Sequence, residues 1–211
     1  MSSSVRFAIL VYEDVEPIDI GATCGVLSMA RRCLPQISMF VVAAQAGPVR
    51  LANGLIIHAD HGFADCPPAD VLVVTGGPGW TKQRADAAML AFVKNFHPAS
   101  ILASICTGGT ILAAAGLLDG LRATTRARGI PGELTPLEFI RREHPKLQAV
   151  DALVVDTGPV VTGGGVTLGI DTMLHLLARL FGRQAAEQVA QMMEYSRAWK
   201  ANSEALPSYV E

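Results

Sequence analysis

Short runs rich in Val, Ile and Leu alternate along the chain with longer stretches whose apolar residues recur at helical spacing. Residues 5–12 (V-R-F-A-I-L-V-Y), 37–44 (I-S-M-F-V-V-A-A), 70–75 (D-V-L-V-V-T) and 100–105 (S-I-L-A-S-I) read as buried strands. Each is close to continuously apolar, as a strand covered on both faces must be. Pro17 suits the first turn of a helix reaching about residue 32, and helical patterns cover roughly 85–96 and 107–117. Residues 49–58 form a hairpin pattern around Asn53-Gly54. Thr135-Pro136-Leu137-Glu138 is a capping-box helix start. Short strands are expected at 122–125, 151–155 and 159–162, and the Gly163-Gly164-Gly165 run breaks the chain before amphipathic helices at 169–181 and 183–195. The stretch after Trp199 reads as irregular.

Strands alternating with helices predict an α/β fold, a flavodoxin-like three-layer sandwich around a mostly parallel central sheet. One domain is expected over residues 1–199, followed by a C-terminal tail at 200–211. Such sheets bind ligands at the carboxyl ends of their strands. Attention therefore falls on Glu13 to Asp19, on Gly76 to Trp80, and on the segment from Cys106 onward.

Composition narrows the function classes. Half of the 211 residues are hydrophobic and 17% are charged, which argues against disorder. The net charge is −2 and the 17 Lys and Arg are scattered, so no nucleic-acid surface is expected. The N-terminal apolar run is short and followed at once by Glu13 and Asp14, so neither a signal peptide nor a membrane span is expected. Cys24, Cys33, Cys66 and Cys106 lie far apart with no C-x-x-C pair, which points to reduced thiols and a cytoplasmic location. No His–Cys spacing suggests zinc, and His58 with His61 is a lone pair. No metal or cofactor is expected.

Ser104-Ile105-Cys106-Thr107-Gly108-Gly109 carries the most chemistry. Cys106 falls on the turn between a buried strand and a helix, with small neighbours that permit a sharp, strained elbow. Such a turn would expose the sulfur at the positive end of the helix. A free thiol has a pKa of about 8.5, and a helix terminus contributes at most ~2 kcal/mol, or ~1.5 pKa units. The dipole alone barely suffices, so a hydrogen-bonding partner is expected. The alternative is a buried core cysteine. The other three cysteines lack the elbow and read as structural.

Gly76-Gly77-Pro78-Gly79-Trp80 follows a strand, and its backbone N–H groups could form an oxyanion hole beside Cys106; an ordinary glycine-rich turn is the alternative. The triple glycine at 163–165 reads as a turn. Asp19 is an acid inside an apolar segment, Pro17 to Gly21. It is either a surface or capping aspartate, or a desolvated acid of raised pKa that exchanges a proton with the thiol.

Cys106 and Asp19 in this setting resemble the ThiJ/PfpI superfamily. The resemblance spans nearly the whole chain. It rests on F-A-I-L-V-Y-E-D-V at 7–15, D-V-L-V-V-T-G-G-P-G at 70–79, and I-C-T-G-G-T-I-L-A-A-A-G-L-L-D-G at 105–120. It continues through R-A-T-T at 122–125, V-V-T-G-G-G-V-T-L-G-I-D at 160–171 and M-M-E-Y at 192–195. The central block is shared by isonitrile hydratases and by the amidase-like half of certain regulators, and an aspartate at position 19 matches the isonitrile hydratase branch. The resemblance implies hydration of a small isonitrile to an N-substituted formamide. Cys106 would be the nucleophile, Asp19 the proton carrier, Thr107 a support for the pocket and Gly77 a backbone donor. It also implies a homodimer. One departure stands out: the sequences it resembles usually read A-T-T-H-W where this chain has Ala123-Thr124-Thr125-Arg126-Ala127. Arg126 would then stabilise the thiolate, bind an anionic substrate group, or point to solvent.

Two other functions compete with the hydratase. One is a non-catalytic ligand or redox sensor using the same thiol. The other is an amidase- or glyoxalase-like enzyme, which the absence of the elbow histidine disfavours.

Overall fold

The computed structural model describes residues 4–211. Strand β1 (Val5–Leu10) leads into helix α1 (Pro17–Ile20), with proline at its start. The helix continues through a π-helical stretch, Gly21–Gly25, into α2 (Val26–Ala30). The single helix expected from Pro17 is thus one rod with a wide turn in its middle, a feature often found beside functional sites. Next come β2 (Ile37–Val42) and an antiparallel hairpin of β3 (Gly47–Arg50) and β4 (Ile56–Ala59). Asn53 takes a left-handed φ of 62° in its turn, in keeping with the Asn-Gly pair.

The chain proceeds through β5 (Val71–Val74), α3 (Trp80–Gln83), α4 (Ala87–Lys94), β6 (Ile101–Ser104) and α5 (Gly108–Ala114). A short parallel pair, β7 (Arg122–Ala123) and β8 (Gln148–Ala149), flanks α6 (Pro136–Glu143). Thr135 and Glu138 close the expected capping box on α6. The last elements are β9 (Val154–Asp156), β10 (Val160–Gly163), α7 (Gly169–Phe181), α8 (Arg183–Met192), α9 (Ser196–Ala205) and β11 (Ser208–Val210). The stretch after Trp199, irregular by its sequence pattern, is therefore the end of a helix and an edge strand. Polar α9 lacks a continuous apolar stripe, and three-residue β11 is too short to show alternation.

Seven strands form the central sheet in the order β11-β9-β10-β6-β5-β1-β2. All neighbours are parallel except β9 with β10, which form an antiparallel pair. From β2 to β10 this is the doubly wound, flavodoxin-like order, whose connections reverse direction between β1 and β5. Phe7, Ile9, Leu72, Val73, Ala103 and Val161 fill the sheet's centre and are sealed from solvent. A fully apolar sheet leaves chemistry to the loops at its carboxyl edge, and the residues after β1, β5, β6 and β10 meet there. Among the described residues no helix is long and apolar enough to cross a membrane.

Candidate active site

The site is built where four strand ends converge. Cys106 follows β6 and holds a left-handed φ of 51°. For a residue with a Cβ that conformation costs about 1–3 kcal/mol and persists only where surroundings over-determine it. Here they do. Its N–H donates to the Gly164 carbonyl at 3.0 Å, and its carbonyl accepts the Thr125 hydroxyl. The R-A-T-T segment thus clamps the elbow from one side and the triple glycine from the other. Gly76 closes the third side. A Cβ there would lie 2.7 Å from the Cys106 Cβ, so only glycine lets the β5 turn approach this closely.

Asp19 on α1 is fully buried and 57 residues from its hydrogen-bond partner Gly76, whose N–H reaches Oδ2 at 2.8 Å. Its Oδ1 has no hydrogen-bond partner among the described residues, and the Cys106 thiol lies close enough to lower the Asp19 pKa. Burial raises the Asp19 pKa to about 7, against the opposing pull of the Gly76 N–H and the thiol. Glu16 adds to the rise and the Arg126 charge counters it. Asp19 is therefore a buried carboxyl and not a surface or capping aspartate.

The sulfur itself differs from expectation. Cys106 is 1% exposed, and burial pushes its thiol up to about 12, with the Asp19 charge adding to the rise. The backbone N–H groups of Val166 and Thr107 and the charge of Arg126 pull in the opposite direction without prevailing. The elbow pattern predicts an exposed thiolate. The structure holds a shielded thiol beside a carboxyl that ionises first, because desolvation and the Asp19 charge outweigh the nearby N–H groups and Arg126.

The glycine-rich turn also plays a different part from the one its sequence suggests. Gly76 N–H is spent on Asp19, and Gly77 N–H on the Thr107 hydroxyl at 2.8 Å. Rather than standing free as an oxyanion hole, one of the two readings of the motif, the two donors fix the side chains flanking the sulfur. The donors aimed at the sulfur come from Thr107 and from Val166. Val166 has a φ of 57°, a strained conformation for a β-branched residue, which turns its N–H toward Cys106. No sequence signal marks this role: the triple glycine is the conspicuous feature, yet the residue after it carries the strain. Tyr12 is likewise silent in the sequence. It ends the first apolar run, sits buried against Thr107, and donates its hydroxyl to the Thr75 carbonyl at 3.0 Å.

Arg126, the departure from the resembling sequences, stands beside this centre. It is half-buried, its stem packs where a Gly165 side chain would be, and its Nε donates to the Arg128 carbonyl at 2.8 Å. Its charge lowers the pKa of both Asp19 and Cys106, so it does not simply point to solvent. Two other motif segments meet on the far side of α7. Asp171 accepts the Tyr195 hydroxyl at 2.8 Å and the Asn202 amide at 3.0 Å, which ties V-T-L-G-I-D to M-M-E-Y. Among the described residues no group of three His, Cys, Asp or Glu side chains is placed to hold a metal.

Known proteins resemble this chain in sequence and in fold. The chain is 32% identical over 201 residues to the isonitrile hydratase of Pseudomonas putida, covering 92% of this chain and 80% of that one. It is also 32% identical over 157 residues to the HTH-type transcriptional regulator CdhR of Pseudomonas aeruginosa, but spans only 45% of that regulator's length. A ThiJ/PfpI family protein from Pseudomonas syringae superposes with a TM-score of 0.77 at 29% identity, over 92% of this chain and 76% of that one. Drosophila melanogaster DJ-1beta shares the fold, with a TM-score of 0.73 at 20% identity over 92% and 98% of the two chains. The sequence model of the DJ-1/PfpI family matches residues 5–179, the span that carries both Asp19 and the Cys106 elbow, and the chain belongs to that family.

Proposed function

We propose that the protein is a cysteine-dependent hydratase that converts a small isonitrile to an N-substituted formamide in the cytoplasm. The observation that carries this reading is the buried Asp19 carboxyl, ionising near neutrality within reach of the Cys106 thiol. The thiol adds to the terminal isonitrile carbon. Asp19 takes the S–H proton and returns it to that carbon, leaving a thioimidate, R–N=CH–S–Cys. Water then attacks the same carbon, with Asp19 accepting its proton. Protonation of nitrogen and cleavage of the C–S bond release R–NH–CHO and restore the thiol. The Val166 and Thr107 N–H groups stabilise negative charge as it builds on sulfur. The relationship to the Pseudomonas putida isonitrile hydratase supports this chemistry. The protein acts as a homodimer, for which exposed Ile18, Leu55 and Ile56 offer apolar surface; light scattering of the purified protein tests this.

Incubation with cyclohexyl isonitrile, followed by proton NMR of the formyl hydrogen, tests the activity. The wild type forms the formamide and Cys106→Ala does not. Equal turnover by both ends the reading. One observation favours a second reading, a ligand or redox sensor: the similarity to the transcriptional regulator CdhR, 32% identical over 157 residues. That reading requires selective oxidation of Cys106 by dilute peroxide together with no isonitrile turnover.

A further inference from the structure

A cavity of about 430 Å³ opens beside the nucleophile. Thr125, Gly164 and Val166 contribute to its wall, and each of these also contacts Cys106: by the Thr125 hydroxyl, the Gly164 carbonyl and the Val166 N–H. Cys106 itself does not line the cavity, so a molecule there is one layer of residues from the sulfur. The volume equals roughly fourteen waters at ~30 Å³ each, far more than a one- or two-carbon isonitrile needs. Ala127, Ile130, Leu168 and Leu206 make much of the remaining wall apolar.

Two arginines share this wall. Arg128 is already paired with Asp151 at 2.8 Å. Arg126 has no carboxylate within ion-pair distance among the described residues, and only its Nε is committed, to the Arg128 carbonyl. One of its Nη atoms reaches toward Gly129, itself part of the wall. A half-buried guanidinium with free terminal N–H groups beside an apolar cavity is suited to an organic anion, since a carboxylate accepts from such a fork in charge-assisted bonds.

We infer that the ligand of this site carries a carboxylate, paired with Arg126, on an apolar carbon skeleton that fills the adjoining cavity. Resting on the hydratase reading, the substrate class is then an isocyano acid and the product an N-formyl amino acid.

Binding separates this inference from catalysis. Titration calorimetry of Cys106→Ala with N-formyl-leucine and with its amide compares acid and neutral forms without turnover. The acid binds at least about tenfold tighter, and Cys106→Ala/Arg126→Gln loses that preference. In turnover, 2-isocyano-4-methylpentanoate exceeds its methyl ester in kcat/KM by a similar factor, and Ala127→Trp, which narrows the cavity, reduces the advantage of this substrate over its two-carbon analogue. An acid that binds no better than the amide, or a preference that survives Arg126→Gln, overturns the inference. A binding preference without hydration of any isonitrile leaves the ligand class standing and refutes the hydratase instead.

Discussion

Replacing Asp19 by asparagine should move two measurements of Cys106 in opposite directions. With the thiol near 12 and the carboxyl near 7, transferring the proton from sulfur to Asp19 costs at most about 7 kcal/mol at 1.36 kcal/mol per unit. That is an upper bound, because part of the thiol's rise comes from the Asp19 charge, which disappears as the carboxylate takes the proton. Asparagine removes that charge permanently, so the thiol pKa falls and alkylation by iodoacetamide at mildly alkaline pH becomes faster than in the wild type. Hydration needs a carrier for the proton as well as a nucleophile. It should fall by about 10²–10⁴-fold, the usual contribution of a positioned acid–base group. The wild-type kcat/KM for hydration should rise with pH through about 7, as Asp19 ionises, and this limb should be missing in the variant. Stopped-flow alkylation and NMR-monitored turnover across pH supply both readouts. If both rates drop together, Asp19 only supports the elbow and its role as proton carrier is refuted.

The same carboxyl has a stability cost. A raised folded-state pKa gives stability that is complete below the ordinary aspartate value and lost as pH rises through about 7, on the order of 4 kcal/mol for this buried group; urea unfolding should therefore show Asp19→Asn gaining on the wild type between about pH 4 and pH 8. Asp171, raised to about 6 chiefly by burial, follows the same sign, so Asp171→Asn should also gain on the wild type as pH rises, which thermal melts can follow. Thr125→Val leaves the buried Cys106 carbonyl without its side-chain donor and should cost about 1–3 kcal/mol in chemical denaturation. Gly76→Ala forces the β5 turn away from the Cys106 Cβ, at about 1–3 kcal/mol in stability, and hydration should drop with it.

Some parts of this site are far more legible in the sequence than others, for physical reasons. Strand cores such as 71–74 and the elbow at Cys106 can be read directly because apolar runs and small residues around a turn have few other uses. α7 has the bounds its amphipathic pattern predicts, Gly169–Phe181. Asp19 is legible as an anomaly, an acid among apolar neighbours, but its 57-residue reach to Gly76 is a tertiary fact that no local pattern encodes. The fate of the glycine-rich turn is hidden for the same reason. Its N–H groups are free by sequence to face either substrate or side chains, and packing selects Asp19 and Thr107. Burial of the sulfur, which reverses the expected thiolate, depends on segments 60 residues further along the chain closing over it, among them Val166.

Infrared difference spectroscopy of the Asp19 carboxyl across pH, wild type minus Asp19→Asn, reads the proton on which the proposed chemistry depends. The subtraction removes Asp171, which titrates nearby. A protonated-carboxyl C=O band, absent from the variant, should be lost with a midpoint near 7. A band lost near 4, the range of an ordinary solvated aspartate, would contradict a buried proton carrier beside Cys106.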